Sequence, residues 1–202
     1  MSAHQEHESV LAATLAYHRR GWRVIPVRLG EKRPVGSGWQ DLRLDEDGIR
    51  REFAALRNIG VLLGEPSGGL VDVDLDVPEA AVVARLLLPE TARFGRAAKL
   101  SSHHLYRVTG EVKTRKFTAP DRTVLLELRS GGAQTVFPPS IHVSGERIEW
   151  EDEREPLQIE AQELEQLVAL VAAATLLARS WPAQGSRHEA SLALAGGLLR
   201  LS

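Results

Sequence analysis

The sequence predicts an α+β fold with a mixed or antiparallel sheet and a helical appendage at its C-terminal end. Three observations carry this. Up to about residue 87, amphipathic segments of helical period alternate with short apolar runs of strand period. From about residue 97 to 150 the pattern is mostly β. From about residue 159 apolar residues again recur at helical spacing. At 202 residues and 43% hydrophobic composition, one domain or one domain with an appendage is expected. The division falls at residues 1–155 and 156–202.

Residues 8–20 place Val10, Leu11, Leu15 and Tyr17 among polar positions, and Gly21 stops this first helix. Trp22 to Val27 is a short strand, followed by a loop with Gly30, Lys32, Pro34, Gly36, Gly38 and Trp39. A helix over about 46–56 begins with Asp45 as its N-cap. Residues 58–63 form an apolar strand, and Gly64 to Gly69 a turn. Leu70-Val71-Asp72-Val73-Asp74-Leu75-Asp76 alternates at period two and reads as a strand. Pro78 opens a helix to about residue 87, its ring suited to the first turn. Further strands are expected at 99–108, 123–129, 133–137 and 146–150, with Gly131-Gly132 as a tight hairpin between two of them. The acidic run Glu151 to Glu155 marks a boundary. A long helix over about 159–179 carries Leu164, Leu167, Val168, Val171 and Leu177, and Trp181-Pro182 ends it. A last apolar helix runs from Ala190 to Leu201, and its abrupt end suggests a fragment of a longer protein.

The sequence has no cysteine, which removes disulfides, thiol catalysis and Cys-based zinc sites. The polar start has no signal-peptide character. No apolar run approaches the ~18 residues of a membrane span, so no membrane association is expected. Net charge is −2, which argues against a generic nucleic-acid coat. Residues 1–150 nevertheless hold 21 Lys/Arg against 19 Asp/Glu, and residues 151–202 hold 4 against 8. Metal neutralisation of a few acids would leave the first part mildly basic.

Alternation puts Asp72, Asp74 and Asp76 on one strand face. Clustered carboxylates repel one another unless a cation sits between them. Oxygen-only ligands favour Mg²⁺ or Mn²⁺. Glu127, a lone acid in the apolar run Val124-Leu125-Leu126-Glu127-Leu128-Arg129, is the candidate partner from another strand. An internal Glu127–Arg129 ion pair is the alternative. In Ser101-Ser102-His103-His104, alternation turns the two histidines to opposite faces, so only one can join a site. Pro138-Pro139-Ser140-Ile141-His142 is a rigid loop that could hold Ser140 or His142 towards a ligand. Lys32 could meet phosphates. Gly64 to Gly69 is no Walker A motif, because no Gly-Lys-Ser/Thr follows.

Taken in order, these residues resemble the primase–polymerase domain of the archaeo-eukaryotic primase superfamily. The resemblance covers about residues 12–150. It runs through Gly21-Trp22, Lys32-Arg33-Pro34, Gly38-Trp39, Asn58-Ile59-Gly60 and Gly64 to Gly69. It continues through the Asp strand, Ser-x-His with Leu105-Tyr106, Glu127-x-Arg129, and Pro138-Pro139-Ser140 with His142, Gly145 and Trp150. The resemblance implies an RRM-like αβ core and template-directed nucleotidyl transfer, by a primase or DNA polymerase using two Mg²⁺ or Mn²⁺ ions. Candidate metal ligands are Asp72, Asp74, Asp76 and Glu127; the resemblance favours Asp74 and Asp76 and leaves Asp72 as a bystander or outer-shell group. Asp74, Asp76, Glu127 and His103 are the implied catalytic residues. His103, His104, Arg129, His142, Ser140 and Lys32 are candidates for nucleotide binding, with His103 favoured over His104. Implied partners are a single-stranded DNA template with its primer and dNTP or NTP. Gly185-Ser186-Arg187-His188 looks like a linker to a covalently attached helicase domain of phage or plasmid replication proteins, which implies a cytoplasmic setting in a prokaryotic cell. Two other readings of the carboxylates remain: a metal-dependent nuclease or phosphodiesterase, and a non-catalytic nucleic-acid-binding module of a replication initiator.

Overall fold

The computed structural model of the chain describes residues 2–200. In chain order the elements are α1 (Ala3–Arg19), β1 (Val24–Val27), α2 (Glu46–Glu52), β2 (Asn58–Leu62), β3 (Leu70–Leu75), α3 (Pro78–Leu87), β4 (Ala92–Arg96), β5 (Lys99–Thr109), β6 (Arg115–Thr118) and β7 (Val124–Arg129). There follow β8 (Gln134–Phe137), β9 (Glu149–Asp152), β10 (Leu157–Glu160), α4 (Ala161–Ser180) and α5 (Arg187–Leu198). The α+β class expected from the sequence is what the chain adopts.

Helix α1 begins earlier than its apolar spacing suggested, because a capping box starts it. Ser2 Oγ accepts from the Gln5 N–H at 3.3 Å, and the Gln5 side chain accepts from the Ser2 N–H at 2.8 Å. Asp45 caps α2, accepting from the Gly48 N–H at 2.7 Å. Pro78 stands in the first turn of α3.

Two sheets form. The smaller has the antiparallel order β1-β2-β8. The larger runs β6-β7-β3-β5-β4-β9, with β10 added parallel to β5. The expected hairpin at Gly131-Gly132 is not one. β7 pairs with β3 and β6, whereas β8 pairs with β2, so the two glycines carry the chain from one sheet into the other. Glycines mark a reversal of direction but not which strand receives the next segment. Strands β4 and β6 were not legible as strands, since they are short and rich in charged residues or glycine, and β10 is four residues that run directly into α4. β9 takes in the first two acids of the run read as a boundary, β10 follows the run, and both pair into the larger sheet.

The larger sheet is covered on both faces, and β3 shows how its alternation is used. Leu70 joins a core with Tyr17, Trp22, Ile25, Phe53, Ile59, Phe94 and Phe137, between the sheets and under α1 and α2. Val71, Val73 and Leu75 face a second core with Ala80 and Ala84 of α3 and Leu164, Val168 and Val171 of α4. Asp72 and Asp74 therefore share the face of the first core. α4 has the length and apolar composition of a membrane span, with mean hydropathy 1.3, and its buried stripe lies in the second core. α5 has no buried side chain among its described residues.

Gly60 is where the smaller sheet is tightest. A Cβ there would lie 2.8 Å from both Ile25 Cγ1 and Val27 Cγ2, and 2.9 Å from Gln134 Oε1. Gly60→Ala is accordingly expected to destabilise the fold by about 1–3 kcal/mol through overpacking. Urea unfolding of the two proteins checks this; equal midpoints would contradict it.

Candidate active site

The register of the larger sheet assembles the site as one row across five strands. Phe94 of β4 lies opposite His103 of β5, His103 opposite Asp74 of β3, Asp74 opposite Glu127 of β7, and Glu127 opposite Lys116 of β6. Facing pairs in an antiparallel sheet point to the same side. An aromatic ring, an imidazole, two carboxylates and an ammonium are thus delivered to one face in sequence. Asp76 follows just beyond β3, where its N–H donates to the Leu125 carbonyl at 2.9 Å.

A cleft opens between the two sheets over this row. Lys32, Asp74, Arg96, Lys99, His103, Arg129 and His142 supply its charged and titratable lining, and Gln134, Thr135 and Val136 of β8 form part of the opposite wall. The cations part the acids. Lys99 Nζ lies 3.8 Å from Asp74 Oδ1 and 3.5 Å from Asp76 Oδ1. Arg129 reaches 3.6 Å from Asp74 and 3.9 Å from Glu127, while its Nη2 donates to the Gln134 carbonyl at 2.6 Å. Glu127's closest partner is Lys116, at 2.7 Å, rather than Arg129.

Burial and then the charges of Asp74 and Glu127 hold the Asp76 carboxyl above its usual range, against the pull of Lys99. Asp72 behaves differently. It is fully buried, and burial works to raise its pKa, yet His103, Arg129 and Thr135 outweigh burial and hold it low. Burial works to depress His103, and Asp72 and Asp74 together raise it. His103 Nδ1 donates to Asp72 Oδ2 at 2.9 Å.

Not every candidate reaches the cleft. His104 points to the other face of β5, where it is buried beside Arg93 with Nε2 unpartnered among the described residues. Ser140 is buried in the loop that ties to β2, and its Oγ accepts from the Ile59 N–H at 2.8 Å. Asp72 lies beneath the floor and does not line the cleft; of the other acids Asp74 lines it, Glu127 stands outside the lining, and Asp76 borders an adjoining depression with Lys99 and Ser102. Sequence reasoning missed Arg96 and Lys99, at the turn between β4 and β5, and the β8 residues Gln134 and Thr135. Reading β4 and β5 as a hairpin would have brought Lys99 beside the aspartates. Thr135 required knowing that β8 lies in the opposing sheet.

His104 gives the fold a pH dependence. Burial, then Arg93, pushes it down to about 4. The unfolded chain takes up this proton near pH 6.5, the folded chain only near 4, so the stability it contributes is lost as pH falls between those values. Between pH 7 and 4.5 the loss is about 2–3 kcal/mol. Urea unfolding at both pH values is expected to show a smaller drop in His104→Gln than in the parent, and equal drops would contradict the assignment.

Among the described residues, no three His, Asp or Glu side chains stand close enough to close on a metal as they are. The donor set nonetheless suits one: Asp74, Asp76 and Glu127 offer only carboxylate oxygens, and Asp76, raised first by burial and then by the charges of Asp74 and Glu127, would be relieved of that repulsion by a divalent cation. Residues 14–165 match the family model of Prim-Pol, the N-terminal domain of bifunctional DNA primase/polymerases. No curated protein matches the sequence.

Proposed function

The chain belongs to the Prim-Pol family, and from that premise we propose that it extends DNA primers, or starts them, by a two-metal nucleotidyl transfer at the cleft between its sheets. Membership implies transfer of the DNA primase/polymerase type, with DNA and nucleotides as substrates. The observation that carries the finer reading is the row Asp74–Glu127 with Asp76 at its end, rimmed by Lys32, Arg96, Lys99 and Arg129. One carboxylate in the cleft, with two more acids beside it and a cationic rim, suits a nucleoside triphosphate together with its metals.

Asp74, Asp76 and Glu127 would hold the two ions. Bound there, Mg²⁺ or Mn²⁺ would lower the pKa of the primer 3′-hydroxyl and neutralise charge on the triphosphate and the leaving pyrophosphate. Lys32, Arg96 and Arg129 bind phosphate oxygens by charge-assisted hydrogen bonds. Lys99 and Arg129, which separate the acids in the free protein, are then available to the triphosphate. His103 keeps Nε2 for the ligand, because Nδ1 is engaged by Asp72. The 3′-oxygen attacks the α-phosphorus, the bond to the bridging oxygen breaks, and pyrophosphate leaves. Contact with the template through its backbone makes activity salt-sensitive. A setting in phage or plasmid replication, with a helicase domain on the C-terminal side, rests on the resemblance of residues 185–188 and the helix after them.

The test is primer extension on single-stranded DNA with Mn²⁺ or Mg²⁺ and dNTP, run beside a reaction without dNTP. Metal-dependent extension is expected. Degradation without dNTP would instead identify a nuclease, and chelator-indifferent DNA binding without incorporation a binding module.

A further inference from the structure

We infer that Asp72 is a positioning residue that fixes the ring of His103, and that it is not a metal ligand. The inference rests on the reading that His103 meets the triphosphate.

Asp72 sits two residues before Asp74 on the same strand face, yet the fold treats the two differently. Asp74 lines the cleft; Asp72 has no exposed surface and does not. Both of its hydrogen bonds use one oxygen. Oδ2 accepts from His103 Nδ1 at 2.9 Å and from the Thr135 hydroxyl at 2.7 Å. Thr135 comes from β8, so the carboxylate joins the two sheets under the cleft. Oδ1 is buried with no hydrogen-bond partner among the described residues. A metal ligand would need an accessible oxygen: the side chains of Asp74, Asp76 and Glu127 are 12%, 32% and 21% exposed, whereas that of Asp72 has no exposed surface.

The other two constraints on His103 complete a cradle. Phe94 stacks on the ring at 4.7 Å between centroids and 18° between planes, which sets the plane of the imidazole. Within that plane, Asp72 selects which nitrogen points inward. Asp74 Oδ1 is 3.8 Å from the same Nδ1, too far to compete. Nε2 is left to face the cleft. A carboxylate behind a functional histidine is a recurrent way to fix ring orientation. Here the arrangement arises because a third aspartate extends the alternation of β3 by one step into the core. Register explains the reach: Asp72 pairs with Leu105 and Asp74 with His103, so the Asp72–His103 contact is a diagonal across β3 and β5.

The test uses three readouts on the full chain with Asp72→Asn, Asp72→Leu and Thr135→Val. In NMR spectra of the metal-free protein, the His103 Nδ1–H proton is expected far downfield and protected from exchange. It should move upfield in Asp72→Asn and disappear in Asp72→Leu. Mn²⁺ alone, titrated by electron paramagnetic resonance, is expected to bind Asp72→Asn about as well as the parent, while Asp74→Asn binds at least about tenfold more weakly. In primer extension, kcat/KM is expected to fall about 10–100-fold in Asp72→Leu, chiefly through KM for dNTP, with Asn recovering part of the loss. Thr135→Val keeps the test open if Asp72→Leu does not fold: it removes one bond to Asp72 and should shift the same proton resonance less far. The inference is overturned if Asp72→Asn loses Mn²⁺ affinity as Asp74→Asn does, or if the His103 proton is unmoved in all three variants. A parent protein that incorporates no dNTP would overturn the activity reading, while the spectral and Mn²⁺ readouts still decide the role of Asp72.

Discussion

Asp74→Asn is expected to lower nucleotide addition at least about a thousandfold, equivalent to about 4 kcal/mol of transition-state stabilisation, and to leave the fold intact. Asp74 occupies the centre of the row, paired with His103 on one side and Glu127 on the other, and it lines the cleft. No other acid can replace it, because the neighbouring even position, Asp72, is buried and engaged with His103 and Thr135. Asparagine keeps the shape and removes the charge. Removing that charge relieves the repulsion felt by Asp76 but also takes an ion-pair partner from Lys99 and Arg129, so stability should change little. Single-turnover incorporation with saturating Mn²⁺, alongside urea unfolding, separates loss of function from loss of structure. Activity within about tenfold of the parent would place the chemistry elsewhere.

Phe137→Ala is expected to cost about 3–5 kcal/mol, enough to unfold a marginally stable domain. Phe137 is fully buried at the end of β8 and meets four aromatic rings. The centroids of Phe94, Trp22, Tyr17 and Trp150 lie 4.9, 5.5, 5.6 and 6.0 Å away. The cluster is also tied by hydrogen bonds: Trp150 Nε1 donates to the Tyr17 hydroxyl at 2.8 Å, which in turn donates to the Pro138 carbonyl at 2.8 Å. Truncation opens a cavity that these rings cannot close without breaking that chain. Because Phe94 carries the ring of His103, the cavity should also loosen the site. A melting temperature close to that of the parent would show that the cluster can repack.

The acids were legible in the sequence because strand alternation is a local property. Three aspartates among valines and leucines can only be a face, and from that face Asp74 lines the cleft. The same local rule separated His103 from His104. It could not tell that the face dips into the core at Asp72, since burial depends on the opposing sheet. Assignment of strands to sheets was equally invisible: Gly131-Gly132 signals a turn whether the next strand pairs beside the last or crosses to β2. Lys99 and Arg96 were passed over because charged residues at a turn ordinarily face solvent, and only the β4–β5 pairing returns them to the aspartates. Ser140 shows the opposite error. A serine in a proline-rich loop looked available, but its hydroxyl is spent on the Ile59 N–H, holding the loop to β2.

On the proposed function, Asp74, Asp76 and Glu127 hold divalent metal for nucleotidyl transfer. Anomalous scattering from crystals grown with Mn²⁺ and a non-hydrolysable dNTP tests it most directly. The expected result is manganese bounded by those three carboxylates, with the triphosphate against Lys99, Arg129 and His103. Manganese absent from that row, or bound through Asp72, would contradict it.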